Sequence, residues 1–318
     1  MRFSHKSATL LVLAALIALT PIFFPSSFYY RIGSLIFING LAVTGMVILI
    51  GYAGQISLGH AGFAGIGAYS CALMPVHWGV PVLLAAVLGA VISAALAWLV
   101  GRPILRLKGY YLGVATLGFG ILVYMVLMNE AWLTGGPDGT AVPDSGLRDM
   151  AKAIGINLKN SEFWYWFCGI VLMIGAWLAL NLQDSPTGRA LRALHGSEVA
   201  ARTVGVDVAK YKLQAFVISA VYASVAGSLV ALQNQFVTPD IAGYMHSIEW
   251  VTMTVLGGAG SVLGAIFGAG ILTLLPQVLT KFAEYEQLLL GLIMMLVMIF
   301  MRDGMLPTII RLIRGKDE

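Results

Sequence analysis

Apolar runs long enough to cross a bilayer recur along the chain, near residues 8–24, 32–50, 79–100, 109–128, 162–182 and 213–232, with a shorter one at 287–301. A helical crossing of the hydrocarbon core takes about 20 consecutive apolar residues, and short polar connections separate these runs, which is the pattern of a polytopic membrane protein. Charged side chains make up only 11% of the 318 residues against 59% hydrophobic ones. That leaves too little polar surface to coat a soluble particle, so a soluble enzyme is excluded. The net charge of +4 fits cationic loops at a membrane surface rather than a nucleic-acid site. The expected fold is all-α and polytopic, one transmembrane domain over 1–318 with about eight to ten transmembrane or re-entrant helices.

Arg2 and Lys6 precede the first run, but Pro21, Pro25 and the aromatic Phe28, Tyr29 and Tyr30 stand where a signal peptide would carry small residues at a cleavage site, so this run reads as a retained helix. Cys71 and Cys168 lie inside apolar runs and read as small core residues. Trp164, Tyr165 and Trp166 open another run and read as interfacial anchors.

Loop charge sets the orientation. Residues 102–108 carry Arg102, Arg106 and Lys108 with no acid, and the loop 183–212 carries Arg189, Arg192, Arg202, Lys210 and Lys212, so both belong to the cytoplasm. The loop 129–162 holds Arg148, Lys152 and Lys159 against Glu130, Asp138, Asp144, Asp149 and Glu162, which fits the outside. With the N-terminus inside, residues 54–74 run from inside to outside and the connection from Asn234 to His246 lies outside. A cytoplasmic tail with Arg302, Arg311, Arg314 and Lys316 then requires an odd number of crossings after residue 246.

Residues 54–74 and 248–280 are apolar but interrupted by glycine and polar groups, a form tolerated at membrane depth only when buried in protein or lining a cavity. The second stretch is too short for two full crossings at 1.5 Å per residue, so it is expected to re-enter as a half-helix ending at Gly257 with a return from Ser261, broken at Gly257-Gly258-Ala259-Gly260. The run Gly51-Tyr-Ala-Gly-Gln-Ile-Ser-Leu-Gly59 echoes Gly257-Gly-Ala-Gly-Ser-Val-Leu-Gly264. The two would approach from opposite faces, as in the inverted repeats of transporters.

Gln55, Ser57 and His60 are polar groups that cost free energy in hydrocarbon unless paired. His60 reads as either a packed histidine bonded to backbone or pathway lining; glycines 59, 62, 65 and 67 read as close-packing positions. Glu249 is the one acid near a hydrophobic segment, either an interfacial carboxylate at a helix end or a pathway contact. Asn39 and Thr44, on different faces of their span, read as local hydrogen-bonding glue.

The cytoplasmic loop reads as two short helices. Ser185 caps the first with Pro186 at its first position, and Gly196 supplies a left-handed end. Ser197 caps the second, Glu198 faces its positive end, Gly205 stops it, and Asp207 caps the next span. So short a helix is marginal alone, and Ala200 and Ala201 favour close protein contact.

These residues resemble the permease subunits of branched-chain amino acid ABC importers of the LivM-like type. The resemblance rests on the Gly51–Phe63 block, the Gly188-Arg-Ala-Leu-Arg-Ala run with Glu198-Val-Ala-Ala and Gly205, the Leu256–Ala265 block and Gly291-Leu-Ile-Met-Met-Leu-Val-Met, and it covers about residues 40–305. Arg302-Asp303-Gly304 departs from it, since such permeases more often show proline before that glycine. The resemblance implies a multi-pass subunit of the bacterial inner membrane with both termini cytoplasmic. It would pair with a second homologous permease, dock two cytoplasmic ATPases and receive its solute from a periplasmic or extracellular binding protein. Arg189, Glu198, Ala200, Ala201 and Gly205 fall on the coupling motif, and branched-chain amino acids or a related small polar solute are the expected cargo.

No G-x-x-x-x-G-K-[ST] phosphate loop occurs, so ATP is expected on partner subunits and no cofactor on this chain. No H-E-x-x-H, G-x-S-x-G or paired His/Cys ligands point to an enzyme or a metal. The alternative, an ion-coupled secondary transporter or channel, would place ionisable groups inside the membrane. No acid precedes Glu130. Pathway and hinge residues are accordingly expected among Gln55, Ser57, His60, Glu249, Gly257, Gly258 and Gly260.

Overall fold

A computed structural model of the chain describes residues 5–279, except 108, 154 and 156, together with 291, 292, 295, 299, 304, 305 and 308. Most of the run at 287–301 and the basic tail lie outside the described residues. Helix α1 (His5–Leu19) ends in a 3-10 turn, Thr20–Phe23, and α2 (Ser27–Met46) continues through a π-helical stretch, Val47–Tyr52. After an unwound segment come α3 (His60–Trp78), α4 (Val82–Ile104) and α5 (Tyr110–Asn129). The next connection holds two short helices, α6 (Ala131–Thr134) and α7 (Leu147–Ala153). The chain continues through α8 (Asn160–Asp184), the short α9 (Pro186–Gly196) and α10 (Glu198–Thr203), and α11 (Val208–Asn234). A pair of helices, α12 (Tyr244–Gly257) and α13 (Val262–Leu279), follows. Strands β1 (Thr140–Ala141) and β2 (Phe236–Val237) pair antiparallel and tie the loop before α8 to the connection after α11.

Among the described residues five helices are long and apolar enough to cross a membrane, and the protein is a multi-pass all-α membrane protein. Helix α3 is no irregular stretch through residue 74: the backbone is unwound only up to Gly59, and a regular helix then runs to Gly79, whose left-handed conformation (φ +62°) accepts the C-terminal turn. Its composition explains its place. Rich in Gly and Ala, it is buried almost throughout and fills the centre of the bundle with α2 and α11. The Ala64 carbonyl sits where a side chain on Gly227 would be, and the Ser224 carbonyl where one on Gly67 would be, so α3 and α11 touch backbone to backbone. In the most apolar stretch of α2, 83% of residues are buried, against 28% in α4 and 22% in α5, which puts the last two on the outside.

Trp164 and Tyr165 are not interfacial anchors. Both are buried, because α1 and the start of α2 cover this side of α8: the Tyr165 hydroxyl donates to the Ile17 carbonyl at 2.9 Å, and its ring packs on Phe24, Tyr30 and Phe37. Trp166 is half-buried beside it. Cys71 and Cys168 are free and buried, as expected of core residues. Asn39 is hydrogen-bonding glue between helices, accepting from Trp250 Nε1 at 3.1 Å and donating to Thr273 Oγ1 at 3.0 Å, so α2 holds both α12 and α13; Thr44 donates to the Gly40 carbonyl of its own helix.

Candidate translocation and coupling sites

Two landmarks give the depth of α12. Trp250 bonds Asn39, which lies halfway along the helix from Ser27 to Tyr52. The Ala61 N–H donates to Ser247 Oγ at 2.9 Å, and the neighbouring Gly62 packs on Gly120, midway along α5. Helix α12 is therefore centred near half depth, and its 14 residues, about 21 Å long, fall short of a full crossing. The connection after Asn234 does not stay outside. It descends through β2 and a 3-10 turn, Pro239–Ala242, whose Ala242 packs against Gly65 of α3.

Glu249 sits on the first turns of α12, its side chain 55% exposed and bonded to His246 Nδ1 at 3.0 Å; the His246 side chain is 47% exposed. Tyr244 and Met245 are exposed beside them. A carboxylate at that depth is costly against lipid, so this face turns to water or to protein.

The break between α12 and α13 falls where expected. Gly257 ends α12, Gly258 takes φ +111°, and Ser261 Oγ accepts from the Gly264 N–H at 3.2 Å to start the return helix. The Gly264 carbonyl occupies the space a Gly257 side chain would need, so the two arms close tightly, while Gly260 is exposed at the tip. The Ala259 carbonyl likewise occupies the side-chain space of Gly51. The two Gly-rich motifs therefore meet at one level, because α12 brings the second motif down to the end of α2. Gly304, at φ +93°, seats against Gly258.

Ser57 of the unwound segment and His60, the first residue of α3, are buried and hydrogen-bonded through Oγ and Nδ1 at 2.8 Å, and the His60 ring stands edge-on to Phe63 and Phe216. Gln55 is 3% exposed and neither polar atom of its amide has a partner among the described residues. Among the described residues no group of three His, Cys, Asp or Glu could hold a metal ion.

The loop helices carry the expected caps. Ser185 Oγ accepts from the Gly188 N–H at 3.1 Å, Ser197 Oγ from Ala200 at 3.3 Å and Asp207 from Lys210 at 3.1 Å, and Gly205 takes φ +83°. Gly196 is not left-handed: it is the last helical residue, and the extended Ser197 makes the break. Arg189 and Arg192 donate to the carbonyls of Asp184 and Gln183, binding α9 to the negative end of α8. Glu198 pairs with Lys212, which is 7% exposed. Ala201 is buried, whereas Ala200 is exposed and Val199 and Val204 are each 75% exposed. The loop is joined to the unwound segment, since His195 of α9 lies against Gly54. Lys6 pairs with Asp184 at 2.8 Å, bringing the start of α1 to the same face.

Residues 29–298 match the family model described as branched-chain amino acid transport system / permease component. The chain belongs to that family. It is 34% identical over 281 residues to the high-affinity branched-chain amino acid transport system permease protein LivM of Salmonella typhimurium and 33% identical to LivM of Escherichia coli, in each case over 83% of this chain and 66% of the relative. It thus spans just under two thirds of the length of those relatives. The permease protein LivH of Escherichia coli is 26% identical over 84% of this chain and 90% of its own length. No solved structure matches.

Within this permease-family chain the sequence pointed to Glu249 but not to His246 and Tyr244. A histidine three residues before a glutamate, at the start of a helix known to be half-length, was the available signal. Ser57→Ala is expected to destabilise the permease by about 1–3 kcal/mol, because it strips the buried His60 ring of its one hydrogen bond among the described residues. Thermal unfolding in detergent measures this; an unchanged midpoint would show that the Ser57–His60 bond carries no stability.

Proposed function

We propose that the chain is a permease subunit of an ATP-driven importer for branched-chain amino acids or a related small polar solute. It is a transport subunit and not an enzyme. It sits in the bacterial inner membrane with both termini and the basic loops cytoplasmic, pairs with a second homologous permease and accepts solute from an external binding protein. ATP is bound and hydrolysed by two separate ATPase subunits, and this chain carries no cofactor. The observation that carries this reading is the α9–α10 knob: a small helix with Val199, Ala200 and Val204 exposed, its base fixed by Ala201 and the Glu198–Lys212 pair, on the face with the basic loops. The match of the chain to a permease family supports it.

In this reading Ala200 and its exposed neighbours contact the ATPase. Arg189, Glu198, Ala201 and Gly205 hold the knob in shape. Movement of the knob reaches the unwound segment through His195 and Gly54, and the hinge at Gly257, Gly258 and Gly260 through Gly51 and Ala259. The solute passes along the exposed face of α12, past Glu249 and His246, with the buried Gln55, Ser57 and His60 behind the moving segment.

The paired His246 and Glu249 at half depth also suit an ion-coupled transporter. Uptake by vesicles separates the two. The complete complex should accumulate branched-chain amino acids only with ATP, and a proton or sodium gradient without the ATPases should drive none. Gradient-driven uptake by this chain alone would replace the ATP-driven reading with the ion-coupled one.

A further inference from the structure

A groove of about 760 Å³ opens where the end of α4 meets the start of α11 and α10. Arg102, Arg106, Arg202, Lys210 and Lys212 line it. Of its two acids, Glu198 is paired with Lys212, and Asp207 caps α11 without an ion pair to the other four bases, so the lining keeps a net positive charge. No carboxylate pairs with Arg102, Arg106, Arg202 or Lys210 among the described residues. The N-terminus of α11 adds its partial positive charge.

The groove does not stand free in water. Helix α4 presents a stripe of outward apolar side chains, Leu84, Val87 and Val91, that leads down to Trp98, and the Arg102 guanidinium stacks over the Trp98 ring at 3.7 Å from its centroid. Tryptophan at this level marks the headgroup zone of a bilayer, and the stripe above it faces the acyl chains. An apolar track ending in an aromatic ring and a basic groove matches one molecule in both halves: a phospholipid with an anionic headgroup.

We infer that this groove is a binding site for an anionic phospholipid of the leaflet on the basic-loop side, with the phosphate held by Arg102, Arg106 and Lys210 and the chains lying along α4. The inference rests only on the chain spanning a membrane and is independent of the solute carried. The lipid would also brace α10 from behind, since Glu198, Arg202 and Lys212 belong both to the groove and to the base of the knob.

Native mass spectrometry of the full chain in a mild non-ionic detergent tests it, with phosphatidylglycerol, phosphatidylcholine of the same chains, and inorganic phosphate as probes. Phosphatidylglycerol should be retained roughly tenfold better than phosphatidylcholine, and Arg102→Gln with Arg106→Gln should bring the two within about twofold. Both arginines are exposed, so the pair of substitutions is tolerated by the fold; Lys210→Gln is the independent second variant and should lower the preference in the same direction. Lys152→Gln, in the loop at the other end of the bundle, should keep it. Three results overturn the inference: equal retention of both lipids, an unchanged preference in the double variant, or displacement of phosphatidylglycerol by an equal concentration of inorganic phosphate. If the isolated chain shows no preference and the double variant instead loses ATPase co-purification, the groove belongs to a protein partner.

Discussion

Gly67→Val is expected to eliminate the folded chain, and Gly67→Ala to cost about 3 kcal/mol or more. A first side-chain carbon at Gly67 would fall 2.0 Å from the Ser224 carbonyl oxygen, and one at Gly227 would fall 2.0 Å from that of Ala64. A flexible side chain could swing away, but these obstacles are helix backbone, so α3 and α11 would have to separate along their whole contact. Interiors packed as densely as organic crystals do not absorb such a shift, and a net stability of about 5–15 kcal/mol leaves little margin. Gly118→Ala on α5 is the control. Nothing lies within 4 Å of that position, and alanine favours helix over glycine, so its midpoint should hold or rise. Monodisperse yield and thermal midpoint in detergent report both. Equal behaviour of the two variants would remove close α3–α11 packing as the basis of the fold.

What the residues disclosed in advance follows physical lines. Serine at 185 and 197, aspartate at 207 and glycine at 205 announce helix ends through local chemistry, and those ends formed where the chemistry acts within a few residues. The break at Gly257–Gly260 was legible by length, since the stretch could not cross twice. Neighbours distant in sequence were not legible. Trp164 and Tyr165 have the composition of an interfacial belt, and only the fold of α1 over α8 turns them into core. That the Gly51 and Gly257 motifs meet was not legible either, because loop charge gives the face from which a segment starts and nothing about how deep it reaches. For the same reason Glu249 stayed open between an interfacial and a pathway position until Asn39, Ala61 and Gly120 supplied a depth scale.

Ala200→Arg should cut ATP-driven uptake by about tenfold or more while leaving the chain folded, a loss equal to roughly 1.4 kcal/mol of docking free energy per factor of ten. Ala200 is exposed, and a surface substitution typically moves stability by only about 0.5 kcal/mol. Glu198→Lys is a poorer probe, although the sequence makes it attractive. Glu198 neutralises a Lys212 that is 7% exposed, so the reversal would press two ammonium groups together in a buried place, at about 3–5 kcal/mol, and uptake would fail whether or not the knob meets an ATPase. Ala201→Arg gives the matching contrast, because Ala201 is 2% exposed and the substitution should lose both fold and uptake. Uptake, ATPase co-purification and thermal midpoint, read together, separate docking from stability. Should Ala200→Arg keep full uptake and retain the ATPases, force must enter the chain elsewhere, and the contact of His195 with Gly54 would be packing without a mechanical role.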